Sequence, residues 1–226
     1  MSTAKPRGKC TFCGREMTRG GMARHLSACP ERKAAIAAAD QAKGRPQQLW
    51  HLQVQDAGWG GYWLHLEMNG GETLDVLDSY LRAIWLECCG HLSEFTIGGW
   101  GGEEIGMRRK VQNVYKPGVE LTHLYDFGTT SYTLIRGVAV RTGKLLTKRP
   151  ILLMARNDPP TFACQECSQP ATWLCMECIY EYDKYGALCD EHGEGHPHED
   201  YGGLMPIVNS PRMGMCGYDG PANPPY

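Results

Sequence analysis

Between residues 49 and 156, apolar and polar side chains alternate in short runs, the pattern of strands with one buried face. Residues 49–55 (LWHLQVQ) read as one strand. Residues 61–68 (GYWLHLEM) read as the next, with Trp63 on the opposite face from Leu64 and Leu66. After a Gly70-Gly71 turn the period changes. Leu74, Leu77, Leu81, Ile84 and Trp85 recur at three- and four-residue spacing, which predicts an amphipathic helix from its N-cap Thr73 to about Glu87. Asp75 and Asp78 in its first turns suit the helix dipole. Residues 93–99, 121–127 and 131–140 return to the strand pattern, the last two joined as a hairpin through Gly128-Thr129-Thr130. Residues 145–156 are expected as a further strand. Residues 98–106 (GGWGGEEIG) read as a flexible surface loop, because they lack the Gly-Lys-Ser/Thr ending of a phosphate loop. The whole predicts an α+β fold: a central, mostly antiparallel sheet with a covering helix.

Outside that stretch the pattern fades. In residues 1–30, Met17, Met22 and Leu26 supply a small apolar core of the size a stapled finger requires. Residues 31–43 are Ala-rich and helix-forming, with Ile36 the one large apolar group, and Gly44-Arg45-Pro46 ends them. The expected organisation is a finger at 1–30, a helical linker at 31–47, the α+β core at 48–158, a second small module at 159–200 and a tail at 201–226 that closes on the core.

Composition explains what holds the small modules. The chain has 226 residues and 11 cysteines, but no apolar signal-peptide core at its start and no apolar run near the roughly 18 residues of a membrane span. That predicts a soluble, cytoplasmic, reduced protein whose cysteines hold metal rather than disulfides. The net charge of −2 hides an asymmetry: 10 Lys/Arg against 3 Asp/Glu in residues 1–50, but 2 against 10 in residues 160–226. A basic head and an acidic tail predict different partners for the two ends.

Ligand spacing then fits zinc, three ions in all. Cys10, Cys13, His25 and Cys29 form Cys-x2-Cys-x11-His-x3-Cys, close to a ββα finger, with His25 and Cys29 on one helix face. Eight more ligand-type residues fall in four pairs: Cys164/Cys167, Cys175/Cys178, Cys189/His192 and His196/His198. Only seven residues separate the first two pairs, short for a ribbon hairpin. The order is more like a B-box cross-brace, in which Cys164, Cys167, Cys189 and His192 share one zinc and Cys175, Cys178, His196 and His198 share the other. Two small zinc-binding modules therefore flank the sheet. Around the finger, Lys9, Arg15, Arg19, Arg24, Arg32 and Lys33 are candidates for phosphate contacts to DNA or RNA, and Arg24 for reading guanine. A protein partner is expected on the core or the acidic module.

Two stretches, TLDVLDSYLRAIWLECCGHLSEFTIGG (73–99) and HLYDFGTTSYTLIRGVAV (123–140), resemble the plasmid pRiA4b ORF-3-like family, whose members carry transposon-passenger or resolvase-type labels. The tail LMPIVNSPRMGMCGY (204–218) is similar to the ending of zinc-bearing members. The resemblance implies a mobile-element or plasmid origin and an α+β core. It does not imply recombinase chemistry, because neither recombinase residue set is present. For catalysis, two constellations stand out. Cys89/His91 follow the long helix, but Cys88 and Cys89 also fit as small buried hydrophobes with Gly90 ending the helix. His123/Asp126, with His65 and Glu67, converge only if the strands align them. Cys216 near Arg212 reads as a packing residue. No set rises to a named reaction. The reading that follows is a non-enzymatic zinc-binding adaptor, with a purely protein-binding factor and an enzyme as the alternatives.

Overall fold

A computed structural model describes residues 6–116, 118–222 and 224–225. Its centre is a nine-stranded sheet in which every neighbouring pair is antiparallel. In chain order the elements begin with β1 (Arg7–Cys10), β2 (Glu16–Thr18), α1 (Arg19–Ala28), α2 (Pro30–Asp40), β3 (Gln47–Asp56), β4 (Trp63–Asn69) and α3 (Leu74–Leu81). They continue with β5 (Ser93–Ile97), β6 (Glu103–Ile105), α4 (Val111–Val114), β7 (Glu120–Tyr125), β8 (Ser131–Gly143) and β9 (Ile151–Asn157). The sheet order is β2-β1-β9-β4-β3-β8-β7-β5-β6. After it come β10 (Trp173–Cys175), α5 (Met176–Tyr180), β11 (Ala187–Leu188), α6 (Asp190–Gly193) and β12 (Leu204–Pro206), the three strands forming a second sheet in the order β11-β10-β12.

The two faces of β4 explain the layering. Leu64, Leu66 and Met68 point into the main core with Leu52, Val54, Leu74, Leu77, Leu81 and Trp85. Trp63 points the other way and packs against Met22, Leu26, Met154 and the finger cysteines Cys10 and Cys29. The sheet is thus covered by α3 on one face and by the finger on the other. The finger hairpin also continues the sheet: Gly8 pairs with Asn157 and Lys9 with Arg156. Only glycine fits there, because a Cβ on Gly8 would lie 2.0 Å from the Arg156 carbonyl oxygen.

Three expectations change. The helix from Thr73 does not run as α-helix to Glu87. It turns π-helical over Arg82–Leu86, which buries Ile84, Trp85 and Leu86 in succession, as one α-helical face could not. Thr73 occupies the N-cap without a side-chain cap bond, and the Leu74 and Asp75 amides donate to the Arg109 and Met107 carbonyls instead. The glycine-rich loop folds back through Gly98, Gly99 and Gly101 at positive φ, so Glu103–Ile105 pairs with β5 as an edge strand. The strand expected over 145–156 begins only at Ile151. Among the described residues no helix is long and apolar enough to cross a membrane.

Candidate metal centres

In the finger, β1 delivers Cys10. A tight turn with Gly14 at φ 73° and a Gly14 N–H to Cys10 C=O bond of 2.8 Å brings Cys13 round beside it. Helix α1 supplies His25 from its last turn and Cys29 as its C-cap, where Pro30 at once starts α2. The four ligand atoms lie within 4.8 Å of one another, with Cys13 Sγ 3.2 Å from His25 Nε2. Burial pushes the Cys29 thiol up to about 11, so a metal bound there must displace its proton.

The C-terminal ligands meet in crossed pairs. Cys164 and Cys167 join Cys189, the N-cap of α6, and His192 within it; Cys175 and Cys178, which bracket the start of α5, join His196 and His198. Tetrahedral zinc–sulfur and zinc–nitrogen bonds place ligand atoms about 3.3–3.8 Å apart. Here the separations are 3.7 Å for Cys164–His192 and Cys167–Cys189, 3.2 Å for Cys189–His192, and 3.5 Å for Cys175–His198. Cys178 lies 3.4 Å from His196 and 3.2 Å from His198. Backbone N–H groups already aim at the sulfurs: Glu166 donates to Cys164 at 3.4 Å and Cys178 to Cys175 at 3.3 Å. Although burial opposes it, N–H donors from Cys189, Glu166 and Cys167 pull the Cys164 thiol down to about 6. His198 stacks on Tyr182 at 4.7 Å, and its Nε2 faces Glu177 at 3.9 Å, an outer carboxylate of the kind that orients a ligating imidazole. Each quartet could hold a metal ion.

A fourth quartet joins a helix end to the tail, two places that the sequence pattern treats as separate. Cys88, Cys89, His91 and Cys216 also come within 4.8 Å of one another. Cys89 and Cys216 are exposed, so they are not the packed hydrophobes expected of them. Counting would have found the group. The three predicted quartets take eight of the 11 cysteines, and the three left over complete a set with His91.

The finger cations separate into two groups. Lys9, Arg15, Arg24 and Lys33 are exposed, Lys9 near Glu16 at 3.6 Å. Arg19 is half-buried, and burial lowers its pKa. Arg32, expected to face phosphate, is instead turned onto the sheet. It holds the buried Glu67 at 2.8 Å beside a bidentate Arg141 at 2.6 and 2.9 Å, which satisfies a carboxylate that burial would otherwise disfavour.

The strand groups do not converge. His123 is sealed in the core with Nε2 2.7 Å from Asp78 Oδ1, Asp126 is paired with Arg212, Glu67 with Arg32 and Arg141, and His65 with His51 at 2.8 Å. Between core and C-terminal module an apolar groove of about 650 Å³ is lined by Trp59, Tyr62, Phe162, Ile179, Tyr185 and Met213.

No family model and no curated protein matches the chain. A solved structure of a protein of unknown function from Methanosarcina mazei Go1 aligns with a TM-score of 0.40 at 18% identity, over 46% of this chain and 66% of that protein's own length.

Proposed function

We propose that the protein is a zinc-binding, non-enzymatic adaptor of mobile-element or plasmid origin that associates with nucleic acid through its N-terminal finger. The observation that carries the reading is an exposed set of four cations, Lys9, Arg15, Arg24 and Lys33, on a finger whose four ligand atoms already converge. Zinc suits all three predicted quartets, because each offers four sulfur or nitrogen ligands and leaves no position for a reacting water. When bound, the ions supply cross-links that fix loops too small to bury a core. The protein's own side chains do the rest. The cations offer phosphate contacts that position without reading sequence. At the other end the acidic module exposes Tyr180, Tyr182 and Tyr201, and its Phe162, Ile179 and Tyr185 line the apolar groove, surfaces suited to a protein partner. The origin rests on the resemblance to the plasmid pRiA4b ORF-3-like family.

The test is fluorescence anisotropy of the intact chain on labelled duplex DNA, single-stranded DNA and RNA, between about 50 and about 200 mM salt. Four phosphate contacts predict a slope of about −3 to −4 in log K against log salt on duplex DNA, an affinity loss of about 100-fold across that range. Joint replacement of Lys9, Arg15, Arg24 and Lys33 by Ala flattens it. Absent binding, or affinity indifferent to salt, overturns the nucleic-acid reading and leaves the protein-binding one.

A further inference from the structure

We infer that Cys88, Cys89, His91 and Cys216 form a fourth metal centre, a zinc site of three thiolates and one imidazole that fastens the C-terminal segment to the end of the covering helix. The ligands come from two segments, with Cys88, Cys89 and His91 lying 125 to 128 positions before Cys216. The first follows the π turn: Gly90, at φ 79°, reverses the chain so that Cys89 and His91 face the same point, 2.9 Å apart. The second is the tail, which presents Cys216 at φ 52°, 3.4 Å from Cys89 Sγ and 3.4 Å from His91 Nε2. Cys88 completes the set, 3.7 Å from Cys89. These separations fall in or near the range of about 3.3–3.8 Å that a tetrahedral zinc imposes, with Cys89–His91 the shortest.

Neither a disulfide nor apolar packing accounts for the cluster. All three cysteines are free, and the Cys89–Cys216 sulfur separation of 3.4 Å is far beyond a bond of about 2.05 Å. Packing fails for Cys89 and Cys216, which are exposed. The surroundings match a thiolate-rich ion. Three thiolates, one neutral imidazole and zinc leave one net negative charge. The fully buried Arg212 guanidinium, shared with Asp126, lies 3.6 Å from Cys88 Sγ and faces that charge, and the Tyr125 hydroxyl lies 3.8 Å from the same sulfur. Asp126 Oδ2 stands 3.5 Å from His91 Nε2 and is held by Arg212 at 2.5 Å. Soft thiolates with one imidazole select zinc over the hard cations.

The site would close the longest loop of the four. It would keep the tail seated where Ser210 donates to the Trp85 carbonyl at 2.6 Å and Tyr218 is buried. With two of its sulfurs at the surface, it would also be the first to lose metal.

Native mass spectrometry of the zinc-loaded full chain tests this. The expected result is four zinc ions per chain, falling to three in Cys216→Ser and, separately, in Cys89→Ala. Three ions in the wild type, or a count unchanged by both substitutions, overturns the site. Cys10→Ser, counted in parallel, keeps this outcome distinct from a failure of the finger reading. Should a variant misfold, alkylation of the wild type decides. With zinc bound, Cys89 and Cys216 resist a thiol reagent, and after brief chelation they become the first cysteines modified. Equal labelling of both before and after chelation also overturns the site.

Discussion

Lowering the pH from 7 to 5 should loosen the finger from the sheet, through two histidines that take no part in metal binding. His65 Nε2 lies 3.2 Å from the Arg19 carbonyl oxygen at the start of α1, and a carbonyl can only accept. That nitrogen therefore carries the proton, and Nδ1 of a neutral His65 accepts from His51 Nε2 at 2.8 Å. Protonating Nδ1 breaks this relay. Burial, then the neighbouring His65 and Arg32, pull His51 down to about 3; burial pulls His65 down to about 4. Both groups are bases with a folded value below the unfolded one of about 6.5. Their stabilising effect is thus present above pH 6.5 and is lost as pH falls toward 4, because only the unfolded chain takes up the protons. At pH 5 each imidazole costs about 1.36 kcal/mol per pH unit over about 1.5 units, so the pair costs about 4 kcal/mol. Glu67 and Arg141 share this face, but they are already paired with each other and with Arg32. Metal ligands also protonate on acidification, so the assay compares urea unfolding of the wild type and of His51→Gln/His65→Gln at both pH values, with zinc buffered. The ligand contribution cancels in the difference, and the wild type should lose about 4 kcal/mol more than the variant between pH 7 and pH 5. Parallel losses in the two proteins would refute the neutral-pair argument.

Two further outcomes follow from the packing. Arg212→Met strands the Asp126 carboxylate and the Thr129 carbonyl; it should destabilise by about 3 kcal/mol and lower Tm by about 6–12 °C, with Asp126→Asn in the same chain restoring part of the loss by calorimetry. Gly8→Ala drives a methyl group into the Arg156 carbonyl and should cost at least about 2 kcal/mol, with faster amide exchange at Thr11 and Asp158, which bond across the β1–β9 seam.

The strands and the covering helix were legible because each obeys a local period: Leu64, Leu66 and Met68 are buried together, and so are Leu74, Leu77 and Leu81. Ligand-type spacing within a short span was legible too, since the two-residue gaps of Cys10 and Cys13, or Cys164 and Cys167, mark side chains that converge in one quartet able to hold a metal ion. What escaped the sequence is long-range. Nothing local tells that Gly8 must lie against Arg156, that Arg32 will spend its charge on Glu67, or that Cys216 will return to Cys89 from 127 positions away. The π turn escaped for a different reason: burying Ile84, Trp85 and Leu86 consecutively breaks the period that predicts a helix.

Docking the finger on the sheet also decides what a partner can reach. Met22 and Leu26, which face the interior of any such finger, here pack with Trp63 and Met154 from the sheet. One side of α1 is thereby closed, and half-buried Arg19 and paired Arg32 go with it. The exposed cations Lys9, Arg15 and Arg24 remain on the finger, at the sheet end bounded by β2, with exposed Lys33 following on α2. At the opposite end the edge strand β6 carries exposed Glu103 and Glu104. On the reading proposed above, a phosphate backbone is drawn to the first end, while at the second Glu103 and Glu104 offset the exposed Arg108, Arg109 and Lys110 that follow β6. It follows that reversing one end alone should move one interaction alone. Glu103→Lys/Glu104→Lys should leave the finger's salt-dependent binding to short oligonucleotides unchanged while adding a second, weaker site for long ones. Equal strengthening on short and long probes would mean that the two ends share one binding surface.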